Sequence, residues 1–261
     1  MNESASEIPL ISQSDEQLHD LTRTRVMDIL WENEDNKILQ DELNKKRNIL
    51  YSRLRELHEN PFHNIDHAFA VHGRLSVLLR NLKYPEIIPT RKQLLLLESA
   101  LRHDDGHVGN RYRQDVVDAS ELSNEELAVL LMETDFRDST LTPEDIMFMR
   151  NAILATTSWQ RMLPKNDKRY RSYAPKILEE KLLVFADVGA VLVEWWEIWQ
   201  KESEGINREL WKQSLEERKK FVSYVTSLYN ELKENFTDRF CNRVEDNLRE
   251  VTSNLSGTIS K

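Results

Sequence analysis

Over most of the span from Leu18 to Val251 apolar residues return every three or four positions, with loop-like stretches between. That spacing lines one face of a helix and fits no strand pattern, so it confines the chain to helical packing. Leu18, Leu21, Val26, Ile29 and Leu30, then Ile38, Leu39 and Leu43, predict two amphipathic helices with a break at Glu34-Asp35-Asn36. Ile49, Leu50, Leu54 and Leu57 continue the pattern to Asn60-Pro61, where Pro61 ends one helix or opens the next segment. Further helices are predicted over Phe62 to Leu82, Leu94 to Leu101, Ile177 to Trp199 and Leu210 to Val251. Leu122-Ser123-Asn124-Glu125-Glu126 and Thr142-Pro143-Glu144-Asp145 are helix starts, with a Ser123 or Asn124 cap in the first and a threonine cap in the second. Six glycines and seven prolines are few for 261 residues, which supports an all-α, compact multi-helix bundle. The expected organisation is one domain over 15–252, a disordered N-terminus over 1–14 and a frayed tail over 253–261.

Charge and cysteine content narrow the class. A formal charge of -9 argues against a chain that grips nucleic acid backbone. Cys241 is the only cysteine, so an intrachain disulfide and a thiolate-rich zinc site are both excluded. Any metal must be held by nitrogen and oxygen. The most apolar window, Lys181 to Trp199, is interrupted by Asp187, Glu194 and Glu197 and does not read as a membrane span. With no signal-peptide pattern at Met1 to Ser14, a cytoplasmic location is expected.

Five of the seven histidines fall between His63 and Gly109, four of them in two short blocks, His63-Asn64-Ile65-Asp66-His67-Ala68 and His103-Asp104-Asp105-Gly106-His107-Val108-Gly109, with His72 between them. Imidazole is the commonest protein metal ligand and carboxylate the commonest hard one. Two His-x-x-x-His pairs beside a His-Asp dipeptide therefore suggest a hydrolase that works through a metal-activated water. In helical sequence each pair would share a face. Asp187, in Phe185-Ala186-Asp187-Val188-Gly189, is an acid inside core-like sequence, where a carboxylate is costly unless paired, hydrogen-bonded or bound to metal. His19, His58 and His72 read as surface or packing residues, because nothing around them converges.

These residues resemble the HD-superfamily metal phosphohydrolases, and more narrowly the catalytic domain of class I 3′,5′-cyclic-nucleotide phosphodiesterases. That family's Tyr-His-Asn-x-x-His-Ala is similar to Phe62 through Ala68, and its His-Asp-x-x-His-Pro-Gly to His103 through Gly109, with Val108 in the proline's place. Glu126-Leu127-Ala128-Val129, Ile153-Leu154-Ala155-Thr156 and Phe185-Ala186-Asp187 continue the likeness in the same order. The resemblance implies a helical HD bundle and a first metal on His67, His103, Asp104 and Asp187, with Asp104 bridging to a second, largely water-coordinated ion. It implies zinc at the tight site and magnesium or manganese at the second. It makes His63 the general acid and puts His107 near the second ion. The implied reaction is hydrolysis of a 3′,5′-cyclic nucleotide to its 5′-monophosphate, by hydroxide formed between the two ions.

The likeness weakens around the base-reading glutamine. Arg218 falls over that glutamine and Phe221 over the aromatic residue beside it, and an arginine offers only donors. The family's water-arranging glutamate falls near Asp118 and Ala119, and the acid that orients the catalytic histidine lies among Glu194, Glu204 and Glu209. The alternatives are an HD-type nucleotide phosphomonoesterase or other phosphohydrolase, and a catalytically silent nucleotide-sensing or scaffold relative. The basic run Arg161 to Lys176 reads as a solvated loop, with steering of an anionic substrate as its functional alternative. Trp195, Trp196 and Trp199 read as core or subunit contact, which leaves a homodimer open. The expected partner is a small phosphoester or nucleotide, with no nucleic acid and no membrane.

Overall fold

A computed structural model describes residues 34–56, 60–107, 122–157, 173–194, 196–209 and 214–257. Among the described residues, ten α-helices form a compact bundle and no strand occurs. They are α1 (Glu34–Glu56), α2 (Ile65–Arg80), α3 (Thr90–Arg102), α4 (Asn124–Asp135), α5 (Pro143–Ala155), α6 (Leu178–Val188), α7 (Ala190–Val193), α8 (Trp196–Glu209), α9 (Leu215–Leu232) and α10 (Asp238–Gly257). No helix among the described residues is long and apolar enough to cross a membrane.

Caps set several of these helices where the sequence places them. Ser123 and Glu126 close a reciprocal capping box at α4, Thr142 and Asp145 do so at α5, and Ser214 and Glu217 at α9. Each box satisfies two of the backbone N–H groups that a helix start leaves without partners. Asn64 caps α2 by accepting from the N–H groups of Asp66 and His67.

Three expectations about the helices are corrected. The apolar stretch Ile177 to Trp199 is not one helix but α6, the single turn α7 and the start of α8. At Gly189 the backbone folds onto Phe185 so closely that a Cβ would lie 2.1 Å from the Phe185 carbonyl oxygen, and Glu194 is extended. The last helical portion is split as well, because α9 ends in a 3₁₀ turn over Lys233–Asn235 before α10 begins. There Phe236 pairs with Leu82 in an isolated antiparallel bridge. The tail placed at Ser253 is helical as far as Gly257, since Leu255 is buried in the main core. Residues 1–33, including the first predicted helix and His19, lie outside the described residues, as do His58 and most of the basic run.

The main core sits where α2, α3, α5 and α6 pack on one another, with Leu75, Leu96, Ala152 and Leu183 fully buried. A smaller cluster of Leu50, Tyr51, Leu54, Ala68 and Leu101 seats α1 beneath the neighbours of His67 and His103. Beside it runs a chain of charges. Arg47 and Arg102 each donate to Glu98 at 2.7 Å, and Arg102 also reaches Asp135 at 2.7 Å. Arg53 bridges Asp135 at 2.6 Å and Asp105 at 2.5 Å. Three cations alternate with three anions, so the network is neutral and ties α1, α3 and α4 to the second histidine block.

Candidate metal centre

Three chain segments meet at the centre: the start of α2, the turn that follows α3 and the last turn of α6. The packing of those helices is what brings residues 63–67, 103–107 and 187 together. His67 lies in the first turn of α2, His103 caps α3, and Asp187 stands one residue before the end of α6.

The two histidine pairs do not share helix faces as the spacing suggested. His63 precedes α2, and 103–107 is a double turn closed by Asp105 N–H to Arg102 O and His107 N–H to Asp104 O. Gly106 has φ +80°, the left-handed region that glycine alone enters without strain. The histidines instead pair across the two blocks. The rings of His63 and His107 stack with centroids 3.7 Å apart, and those of His67 and His103 lie 5.4 Å apart. Asn60 holds the blocks in register by donating to the carbonyls of both His63 and His107.

Four side-chain atoms converge at the centre. His67 Nε2 lies 3.4 Å from Asp104 Oδ2 and 3.3 Å from Asp187 Oδ1. His103 Nε2 lies 3.1 and 3.4 Å from the same two oxygens. None of His67 Nε2, His103 Nε2 and Asp104 Oδ2 makes a hydrogen bond, although all three are shielded from solvent. A tetrahedral ion with bonds of ~2.0–2.1 Å separates its ligand atoms by about 3.3–3.4 Å, so the spacings suit such an ion. His103 is oriented for this role by its Nδ1, which donates to Ala100 O at 2.9 Å and leaves Nε2 facing the carboxylates.

The electrostatics agree. Burial alone would strip charge from the His103 ring, yet the Asp104 and Asp187 carboxylates outweigh it and hold its pKa well above the usual imidazole value. Burial would raise Asp104, but His103 and His63 hold it well below the usual carboxylate range. Asp187 is likewise lowered against burial, by His103 and then His67. The pocket is thus built to attract positive charge. A second group, His63, Asp104 and His107, also brings ligand atoms within 4.8 Å of one another and shares Asp104 with the first. Both groups can hold a metal ion.

A scan against protein-family models finds no match, and a search of the curated proteins finds none either. The reading of this site therefore rests on its own geometry and on its motifs.

Several residues that matter here are not marked by any motif. Glu125, buried in the first turn of α4, is pushed above the usual carboxylate range by burial and by the nearby Asp104 and Asp187 charges. Asp118 and Ala119 lie outside the described residues, so Glu125 is the further carboxylate that the structure brings to this region. Of the acids considered for orienting a histidine, Glu194 bonds Arg74, Glu204 is exposed, and the Glu209 side chain lies outside the described residues. His72 is a packing residue, almost fully buried in α2. Trp199 belongs to the main core. Arg218 and Phe221 lie on α9, where Phe221 packs against the core and Arg218 Nε is buried without a hydrogen bond. Among the described residues, neither is joined to the His/Asp cluster by a hydrogen bond or ion pair.

Proposed function

We propose that this chain is a metal-dependent phosphodiesterase of the HD phosphohydrolase type, which opens a 3′,5′-cyclic nucleotide to the nucleoside 5′-monophosphate. The observation that carries the reading is the convergence of His67, His103, Asp104 and Asp187, with cross-distances of 3.1 to 3.4 Å and no hydrogen bond on His67 Nε2, His103 Nε2 or Asp104 Oδ2. The choice of a phosphodiester rests on the likeness of the two histidine blocks and the Phe-Ala-Asp segment to the cyclic-nucleotide phosphodiesterases.

In this reading the four-residue cluster would hold zinc, and Asp104 would also serve a second, largely water-coordinated ion, magnesium or manganese, with His63 as proton donor and not as a ligand. Bound divalent ions lower the proton affinity of water and offset the negative charge of the phosphoryl group. His63 is half-buried, and its place against His107 sets the direction of its ring. Water oxygen forms the new bond to phosphorus, the bond to O3′ breaks, and His63 delivers the proton that O3′ needs to leave as a hydroxyl. His107 keeps the His63 ring in place and faces the shared carboxylate.

The test is hydrolysis of cyclic AMP and cyclic GMP by protein of known metal content, with added Mn²⁺ or Mg²⁺ and products separated by chromatography. Release of a 5′-monophosphate is the expected result. A fully metallated protein that cleaves only phosphomonoesters, or binds nucleotide without turnover, overturns the phosphodiester reading in favour of the phosphomonoesterase or the silent relative.

A further inference from the structure

We propose that Arg74 is a positioning residue that sets Asp187 for metal binding, acting as a clamp on the end of α6 and fixed from behind by Glu194 and Glu202. The last carbonyls of a helix have no partner within it. At the end of α6 those of Ala186 and Asp187 are taken by one guanidinium: Arg74 Nε donates to Ala186 O at 2.6 Å and its second terminal nitrogen to Asp187 O at 3.3 Å. Its other terminal nitrogen donates to Glu202 at 2.6 Å and to Glu194 at 3.2 Å. Arg74 is 2 % exposed, so its charge depends on those partners to be held in the interior.

The placement follows from the chain. Arg74 lies seven residues after His67, two turns along the same face of α2, so one helix supplies both a first ligand and the support for the fourth. Only arginine offers donors in a fork wide enough to bind two successive carbonyls and still reach two acids; a lysine is a point charge. Glu202 is on α8, and three residues on, α8 presses against the loop that leads to His63. A Cβ at Gly205 would lie 2.8 Å from Pro61 O and 3.4 Å from Phe62 Cβ. One face of α8 thus braces both the Asp187 side and the His63 side of the centre.

This inference rests on the metal reading, and the test separates the two. The full chain, freed of metal, is titrated with Co²⁺ while the visible absorption of the bound ion is followed. Wild type is compared with Arg74→Lys, Glu202→Gln, Asp187→Asn and the Arg74→Lys/Asp187→Asn double variant, and each is melted without metal as a folding control. Arg74→Lys is expected to lose roughly 10–100-fold in Co²⁺ affinity with a changed spectrum, the range seen for outer-shell partners. Glu202→Gln loses less, and the double variant no more than Asp187→Asn alone, because the clamp acts through Asp187. A wild type that binds no Co²⁺ overturns the metal centre and the clamp with it. Binding by wild type and by folded Arg74→Lys with equal affinity, or losses that add in the double variant, overturns the clamp alone. If Arg74→Lys does not fold, wild-type affinity and spectrum in Glu202→Gln overturn it instead.

Discussion

Replacing Glu98 by glutamine should unfold this protein at markedly lower denaturant. Glu98 is fully buried and accepts from Arg47 Nε and Arg102 Nε, both at 2.7 Å. In Glu98→Gln, Arg102 keeps Asp135, but Arg47 is left with only the Asn44 side chain at 3.0 Å and a neutral amide. Removing one partner from a buried ionic group costs about 3–5 kcal/mol, and the retained amide oxygen places this case near 3. Against a total of roughly 5–15 kcal/mol, that is a large share of the stability. With a urea slope of about 3 kcal/mol per molar, the midpoint at pH 7 falls by about 1 M. The pH dependence has a definite sign. Burial would raise the Glu98 carboxyl, but the charges and hydrogen bonds of Arg47 and Arg102 hold it below the usual range. Its contribution is therefore present above the unfolded value of about 4.3 and is lost as pH falls through the lower folded value. Wild type should lose its advantage over Glu98→Gln in that acid window. A midpoint unchanged at pH 7, with the same slope, would refute the role given to the network.

His63→Ala should keep its metal and fold while kcat on the cyclic substrate falls by roughly 100- to 10,000-fold; an unchanged kcat removes His63 as the acid. Gly106→Ala should lower stability by about 1–2 kcal/mol from the left-handed backbone alone. Its new Cβ would also stand 2.7 Å from Leu131 Cδ1, so the Leu131 side chain must give way; a thermal melt matching wild type would contradict this.

The helical class and the site were legible for different reasons. Periodicity and capping pairs such as Ser123 with Glu126 are local, and the structure forms them where the sequence places them. The breaks at Gly189 and Lys233–Asn235 were not, because the apolar spacing runs on through them: at Gly189 the backbone closes onto Phe185, and after Lys233–Asn235 Phe236 pairs with the distant Leu82. The structure brings together His63, His67, His103, Asp104, His107 and Asp187, all named from motifs. How they come together was misread: the pairing is His63 with His107 and His67 with His103, a product of turn geometry that residue spacing does not encode. Arg74, Asn60, Asp105 and Glu125 carry no local signature. Each acts through partners far along the chain, as when Arg74 bonds a carbonyl 112 residues away.

The central claim is that His67, His103, Asp104 and Asp187 hold a metal ion. It is tested most directly by metal analysis of wild type, His67→Ala and Asp187→Ala after incubation with Zn²⁺ and removal of free ion. Tightly held zinc in wild type, lost from both folded variants, is the expected result. Equal zinc in all three, or none in wild type, would contradict it.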